Sequence, residues 1–127
     1  STSSWTYNST TFHQANAASG NKVEYVAGLV TDPVSATVGN VGICGGINFG
    51  MYAGVGIDST SVDSARLVFS IFPLATSTLA TTSHYSGFPG LGYHAVNWLE
   101  ANDGTATYYG SAAPLPLATG LTARIFA

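Results

Sequence analysis

The histidines and the single cysteine are the side chains best suited to acid–base or metal chemistry. His13, His84 and His94 are far apart in the chain, and no His-x-His or His-x-x-x-His spacing occurs. A metal site would therefore need ligands from distant segments. His94 follows Tyr93 in a segment typical of a strand, where an imidazole could respond to acidification. Cys44 has no second cysteine for a disulfide or a zinc cage. We expect structural histidines, a buried Cys44, no metal and no cofactor.

Nucleophilic and paired-carboxylate chemistry have little support. The sequence has no Gly-x-Ser-x-Gly elbow of a serine hydrolase. The carboxylates are Glu24, Asp32, Asp58, Asp63, Glu100 and Asp103. Asp32 precedes a proline and Asp103 precedes a glycine, and both are turn signals rather than catalytic ones. The segment 58–63 lacks the calcium-loop pattern and is predicted to be a solvated loop. We expect that the protein is not an enzyme.

Carbohydrate binding is a chemistry that the composition permits, although aromatic residues this frequent are usually part of a core or an interface. Sugars need aromatic faces beside short hydrogen-bond donors and acceptors. The chain combines two tryptophans and seven tyrosines with many Ser, Thr and Asn residues. The segment 84–88 is predicted to be a loop, where an exposed aromatic residue favours a ligand role. We expect the ligand-binding residues to be His84, Tyr85, Tyr108 and Tyr109.

The chain carries very little charge. Charged residues make up 7% of it and hydrophobic residues 46%, whereas an average soluble domain is about 25% charged. Its surface is therefore covered by Ser, Thr, Asn and Gly, or is partly hidden against identical copies. The net charge of −3 argues against nucleic acid and anionic membranes as partners. No apolar run approaches the ~18 residues of a membrane span, so we expect no membrane insertion.

The pattern of residues predicts an all-β fold in one domain over 1–127, because β-branched and aromatic residues recur between glycines. Candidate strands lie at 5–12, 23–30, 41–49, 65–72, 93–100, 105–109 and 120–126. Turn residues separate them in the manner of a β-sandwich or jelly roll. The segments 76–83 and 112–117 are predicted loops. The glycine-rich segment 43–57 is predicted to be either a bulged strand or an apolar loop.

The clearest local pair is 93–100 followed by 105–109. Asp103-Gly104 can supply the positive φ of a tight turn, so the sequence predicts a β-hairpin there. Alternation in the first arm leaves neither face purely apolar. We expect one face to meet the core and the other a neighbouring subunit. The segment 120–126 also alternates and is expected to be tied into a sheet.

Three segments carry a resemblance to known proteins: Gly92-Tyr93-His94-Ala95-Val96-Asn97-Trp98-Leu99-Glu100, Gly104-Thr105-Ala106-Thr107-Tyr108-Tyr109-Gly110 and Gly120-Leu121-Thr122-Ala123-Arg124-Ile125. Together they resemble the C-terminal ends of bacteriophage tail-fibre and spike proteins, over residues 92–127. Their order is also similar to the jelly-roll heads of the tumour-necrosis-factor and complement-head superfamily. Those heads are trimers, and in phages they recognise the host surface.

The resemblance implies a homotrimeric jelly-roll head at the tip of a phage tail fibre or spike in the virion, with a fibre stalk preceding it. The implied function is attachment to a host surface glycan or outer-membrane component. Two alternatives stay open: a secreted carbohydrate-binding lectin with the same sandwich, and a purely structural capping or trimerisation domain. A glycan-processing enzyme is a more distant third.

Overall fold

Strands make up most of the protein. The computed structural model describes residues 4–44, 50–64, 69–71, 78–110 and 119–125. The strands in these ranges are β1 (Ser4–Tyr7), β2 (His13–Gln14), β3 (Lys22–Ala27), β4 (Val34–Cys44), β5 (Gly50–Ile57), β6 (Phe69–Ile71), β7 (Thr78–Gly87), β8 (Gly92–Asn102), β9 (Ala106–Tyr109) and β10 (Gly120–Ile125). The one helical turn within these ranges is a 3-10 turn at Ala15–Ala17. The all-β prediction is confirmed, and the described residues contain no helix that is long and apolar enough to cross a membrane.

The strands form two five-stranded sheets, and the arrangement is consistent with a β-sandwich. In the first sheet β4 is central: β7 runs along one side, β9 and β10 share the other, and β1 lies beyond β9. In the second sheet β8 is central, with β5 and then β6 on one side and β2 and β3 sharing the other. Every pairing described is antiparallel.

The core lies where the inward faces of the two sheets meet. Alternate valine and alanine side chains of β4 pack against Val55, Val96 and Trp98 of the second sheet. Branched side chains favour the strand because they pack closely on a pleated surface. The buried Trp98 indole donates a 2.6 Å hydrogen bond to Asn40 Oδ1, and Asn40 Nδ2 donates to Tyr52 O at 3.1 Å. The two sheets are thus joined by satisfied polar atoms as well as by apolar contacts.

Aromatic residues join β1 and β9 to the end of β8. The Trp5 ring stacks on Tyr108 with centroids 6.0 Å apart and meets Trp98 edge-on at 6.1 Å. Tyr108 is fully buried. Its hydroxyl lies 2.9 Å from Ala101 O and 3.1 Å from Asn102 Oδ1. The polar end of this large buried side chain is therefore satisfied within the protein.

The predicted hairpin of 93–100 with 105–109 is wrong. β8 belongs to the second sheet and β9 to the first, so the connection between them crosses from one sheet to the other. At the turn, Gly104 has the predicted positive φ (+119°) but Asp103 does not, and the Asn102 side-chain amide donates to the Gly104 carbonyl. The glycine reverses the chain, but it does not determine the strand with which β9 pairs.

The predicted loops at 76–83 and 84–88 are wrong where they overlap β7, which pairs with β4 over ten residue pairs. Thr81 and Ser83 are buried in this strand. Small hydroxyl side chains therefore occupy inward positions where apolar residues are usual, which disguises the strand in the sequence. The predicted loop at 112–117 and the side chain of Cys44 lie outside the described residues.

The other strand predictions are confirmed where residues are described, with shifted bounds. The largest shift is in β4, which begins at Val34 rather than at 41. Of the two alternatives for 43–57, the strand is confirmed over Gly50–Ile57, whereas 45–49 lies outside the described residues. The segment 120–125 is tied into the first sheet by its pairing with β4, as expected.

Candidate functional site

A polar cleft of about 700 Å³ lies on the outward face of the second sheet. Its lining offers hydroxyl, amide, ammonium and carboxylate groups together with one aromatic ring. The lining residues are Gln14, Ser19, Lys22, Asp58, Ser59, Thr60, Ser61, Tyr93, Ala95 and Asn97. Such a set supplies directional hydrogen bonds, and it suits a ligand that carries several polar groups.

The floor of the cleft is formed by β3 and β8. Lys22 and Asn97 are register partners, so their side chains share the outward face of the sheet. Asn97 is buried by its neighbours. Gln14 Nε2 donates to Asn97 Oδ1 at 3.1 Å, and Asn97 Nδ2 donates to Gly56 O at 3.2 Å. The floor is therefore a layer of amides whose orientation is fixed before a ligand arrives.

The wall of the cleft is the turn that follows β5. Asp58 begins it with φ +58°, a left-handed conformation that Asp adopts more readily than most residues. The Asp58 N–H donates to Ala95 O, and Asp58 Oδ1 accepts from the Ala95 N–H, both at 2.8 Å. Ser59 Oγ accepts from the N–H groups of Ser61 at 3.3 Å and Val62 at 2.9 Å. The turn is thus fixed to β8 and closed on itself.

Glycine at position 56 is required by this turn. A Cβ atom there would lie 2.3 Å from Ser59 O and 2.9 Å from a Leu99 methyl carbon. The first contact is with the backbone of the wall, which could yield only by opening the turn. Gly56 therefore lets the wall pack directly against β5.

His94 holds the wall from behind. Its Nδ1 lies 2.7 Å from Asp58 Oδ2, and its Nε2 lies 2.9 Å from Gly90 O. Both partners are acceptors, so only an imidazolium with a proton on each nitrogen satisfies both. The hydrogen bond with Asp58 raises the pKa of His94 although burial opposes the shift, and the bond to Gly90 adds to it. The Tyr25 ring packs against the imidazole at 5.6 Å.

The charged groups of the cleft are already paired within the protein. Lys22 Nζ lies 2.7 Å from Glu24 Oε1, and the Tyr93 hydroxyl donates to the same oxygen. The hydrogen bond between Lys22 and Glu24 raises the pKa of the lysine and lowers the pKa of the glutamate. Asp58 is bonded to His94 in the same way. Because these charges are compensated, the cleft has little net attraction for an ionic ligand.

A second polar cluster surrounds Glu100, away from the cleft. Glu100 is fully buried, and its two carboxylate oxygens lie 3.0 and 2.8 Å from the Trp5 indole nitrogen. The Asn16 N–H donates to Oε1 at 2.9 Å. His13 Nε2 lies 2.8 Å from Oε1, and the His13 ring stacks on Tyr7 at 3.6 Å. Burial raises the pKa of Glu100 to about 7, although the hydrogen bonds from Trp5 and Asn16 oppose the shift.

Asp58 and Glu100 are not placed as a carboxylate pair for glycoside hydrolysis. Asp58 is hydrogen-bonded to Ala95. Glu100 is five residues further along β8 than Ala95, a separation of about 17 Å in an extended strand. Paired carboxylates in glycosidases lie within roughly 10 Å of each other. The Glu100 cluster instead joins β1 and β2 to β8. Among the described residues there is also no group of three His, Cys, Asp or Glu side chains that could hold a metal ion.

None of the four predicted ligand residues lines the cleft. His84 and Tyr85 alternate on β7: His84 is exposed and bonds Thr37 Oγ1 at 3.1 Å, while Tyr85 packs against the core. Tyr108 belongs to the core, and Tyr109 is half-buried at the end of β9. β7 and β9 lie on opposite sides of β4, so the structure does not bring the two pairs together. The ligand role of all four residues stays a prediction, and His84 and Tyr85 lie in a strand rather than in the predicted loop.

Sequence reasoning missed the cleft because its residues come from separate segments. The local signal is the polar run Asp58-Ser59-Thr60-Ser61, which by itself indicates only a solvated loop. The register between β3 and β8 places Lys22 beside Asn97, and neither segment alone contains that information.

Comparisons with protein-family models, with curated proteins and with solved structures found no match to this chain.

Proposed function

We propose that the protein is a carbohydrate-binding attachment domain and that the cleft on the second sheet is its binding site. The observation that carries the proposal is the exposed Tyr93 ring beside hydroxyl and amide groups in one cleft. A sugar presents hydroxyl groups at its edge and C–H groups on its face. It therefore needs directional polar partners and an aromatic surface together.

The pairing of charges in the cleft favours a neutral glycan. A carboxylated or sulfated sugar would need an available cation, and among the described lining residues Lys22 is the one cation. Its ammonium group is engaged by Glu24. The expected ligand is a neutral oligosaccharide whose adjacent hydroxyl groups bond the amide floor and the serine-rich wall.

The wider setting of the proposal comes from the resemblance to phage fibre heads. We propose a trimeric jelly-roll head at the tip of a phage tail fibre or spike, which attaches the virion to a host surface glycan or outer-membrane component. The two antiparallel sheets and the 7% charge are compatible with such a head. Three individually weak sites on one trimer would gain strength through effective concentration.

Two rival functions predict different behaviour of the same molecule. A secreted lectin would bind a soluble sugar as a monomer. A structural cap would form the trimer but bind no sugar. The cleft favours a sugar-binding function over the cap, because it combines an exposed aromatic ring with several polar side chains in one concave site.

A glycan array followed by calorimetric titration of the strongest neutral hit tests the proposal. Tyr93→Ala should weaken binding about tenfold, since it removes the aromatic face. Tyr93→Phe keeps the ring and loses only the hydroxyl bonded to Glu24, so it should bind nearly as well as the wild type.

Two results would overturn the proposal. One is a folded protein that binds no glycan on the array. The other is a Tyr93→Ala variant whose affinity equals that of the wild type, which would place any sugar outside the cleft. Release of a cleaved or modified glycan product would instead support the enzymatic alternative.

A further inference from the structure

One end of the protein concentrates exposed apolar side chains. Seven large hydrophobic side chains of the described residues are exposed, and five of them lie together at this end. The five, each 62–66% exposed, are Val26, Leu29, Val30, Phe88 and Leu91. We refer to these five residues as the apolar end.

The topology of the sheets brings these residues together. Residues 28–33 connect β3 to β4, and residues 88–91 connect β7 to β8, so each connection crosses from one sheet to the other. Their flanking residues are register partners: Ala27 pairs with Gly92, and Val34 pairs with Gly87. The two connections therefore run side by side over the same end.

We propose that the apolar end is a self-association surface and that it is covered by a second copy of this chain. The two connections contain one charged residue, Asp32, and its carboxylate accepts from the Leu29 N–H at 2.9 Å. A nearly uncharged apolar surface is complementary to another of the same kind. Two copies can meet there without bringing several like charges together.

Other occupants fit this surface less well. The two connections carry no Lys or Arg, so they lack the electrostatic attraction by which anionic lipids hold a protein. Monomeric proteins rarely expose extended apolar patches, and those that exist mark interaction sites. A stable interface buries roughly 800 Å² per partner. The apolar end is formed by five side chains, fewer than the roughly 20–30 residues that each partner contributes to such an interface, so the footprint extends onto neighbouring residues.

Tyr93 adjoins the apolar end and links it to the cleft. Val26 and Tyr93 are register partners, and Tyr93 also lines the cleft. A second chain seated on the apolar end would stand next to the bound sugar. This consequence rests on the proposed function: the sugar site would then lie at a subunit boundary, with the partner copy forming part of its rim.

Sedimentation velocity and light scattering across a dilution series test the inference. The wild type should assemble into an oligomer, and the double variant Phe88→Ser with Leu91→Ser should associate at least about tenfold more weakly. Val62→Ser is the matched control, because Val62 is 65% exposed but lies outside both connections. It should associate like the wild type. Near-ultraviolet circular dichroism checks that each variant is folded.

The inference is overturned by a wild type that stays monomeric at every concentration, or by a folded double variant that associates like the wild type. Binding of a monomeric wild type to phosphatidylcholine vesicles would assign the apolar end to lipid instead. Screening the same samples on the glycan array separates the two proposals. An oligomer that binds no glycan removes the carbohydrate-binding function alone. A monomer that binds glycan removes the self-association and the trimeric fibre head with it, and leaves the monomeric lectin.

Discussion

Two histidine–carboxylate pairs lie along β8. Their nitrogen–oxygen distances are nearly equal, but the pKa of the histidine is raised in one pair and lowered in the other. The nitrogen–oxygen distance is 2.7 Å between His94 and Asp58 and 2.8 Å between His13 and Glu100. Beside the cleft, the Asp58 side chain is 46% exposed, and the hydrogen bond raises the pKa of His94. In the interior, burial raises the pKa of Glu100 to about 7 and lowers the pKa of His13. The burial of the carboxylate, rather than the distance, decides which partner favours the proton.

The same difference separates the tasks of the two pairs. The His94–Asp58 pair holds the turn that forms the wall of the cleft, so the protonation of His94 affects the proposed ligand site. The buried pair joins β1 and β2 to β8, so its protonation bears on the stability of the fold. Breaking each pair separately should therefore give distinguishable results.

Breaking the buried pair should have the largest effect. Glu100→Ala should lower the free energy of unfolding by about 3 kcal/mol or more, because the Trp5 indole and the Asn16 N–H lose their acceptor in the interior. Urea denaturation at neutral pH measures the change. Glu100→Gln keeps one acceptor oxygen and should lose less. Equal stability of Glu100→Ala and the wild type would contradict the structural role given to the cluster.

The two pairs also make the stability of the protein depend on pH. Burial raises the pKa of Glu100 from 4.5 to about 7, so the folded state favours the neutral carboxyl. Glu100 thereby adds about 3 kcal/mol to the free energy of unfolding at low pH. This stabilisation is complete below pH 4.5 and is lost as the pH rises through about 7. His94 acts in the same direction, since its raised pKa gives stability below 6.5 that is lost as the pH rises through the raised value. The lowered pKa of His13 has the opposite effect, because it makes the folded state less stable as the pH falls below 6.5.

We therefore expect the free energy of unfolding to fall between about pH 5 and pH 8. Urea denaturation at closely spaced pH values measures this fall. It should be clearly smaller in Glu100→Gln, which cannot titrate at this position. A wild-type profile that rises over this interval would show that hydrogen bonding outweighs burial at Glu100.

Breaking the His94–Asp58 pair should have the smallest effect on stability and a local effect on the cleft. His94→Gln should cost about 1–2 kcal/mol, since one charge-assisted hydrogen bond is lost. Hydrogen exchange at the Ser61 and Val62 N–H groups should become faster, because Asp58 is no longer held. His84→Gln, at an exposed histidine of the other sheet, should leave this exchange unchanged. Equal exchange in the two variants would mean that the wall does not depend on His94.

Several parts of the fold could be predicted because local residue types determine them. Aromatic and branched residues between Tyr93 and Glu100 indicate a strand, and β8 spans Gly92–Asn102. The partners of that strand could not be predicted. Asp103-Gly104 encodes a reversal of the chain, but tertiary packing decides that β9 joins β1 and β4. β7 was missed since its buried Thr81 and Ser83 look like surface residues in the sequence.

The candidate site could be predicted only in its chemistry. Abundant tyrosines and hydroxyl side chains indicate a sugar-compatible surface, but they do not say which aromatic residue lies beside which polar group. The choice of His84 and Tyr85 relied on exposure in a loop, whereas both lie in a strand. The cleft depends on the register of Lys22 with Asn97 and on the return of the Asp58 turn to Ala95. Both are long-range relations that no local pattern contains.

The pairing of β4 with β10 has a consequence for how the protein is made. A ribosome releases residues 34–39 well before residues 120–125, their register partners. The first sheet of a nascent chain therefore keeps an open edge on β4 until the late strand emerges, and β1 waits likewise for β9. Such distant pairings must overcome the entropy of closing long loops, so the protein should fold slowly, and only after residues 120–125 have emerged. During that interval the unpaired edge is the part of the chain most exposed to aggregation.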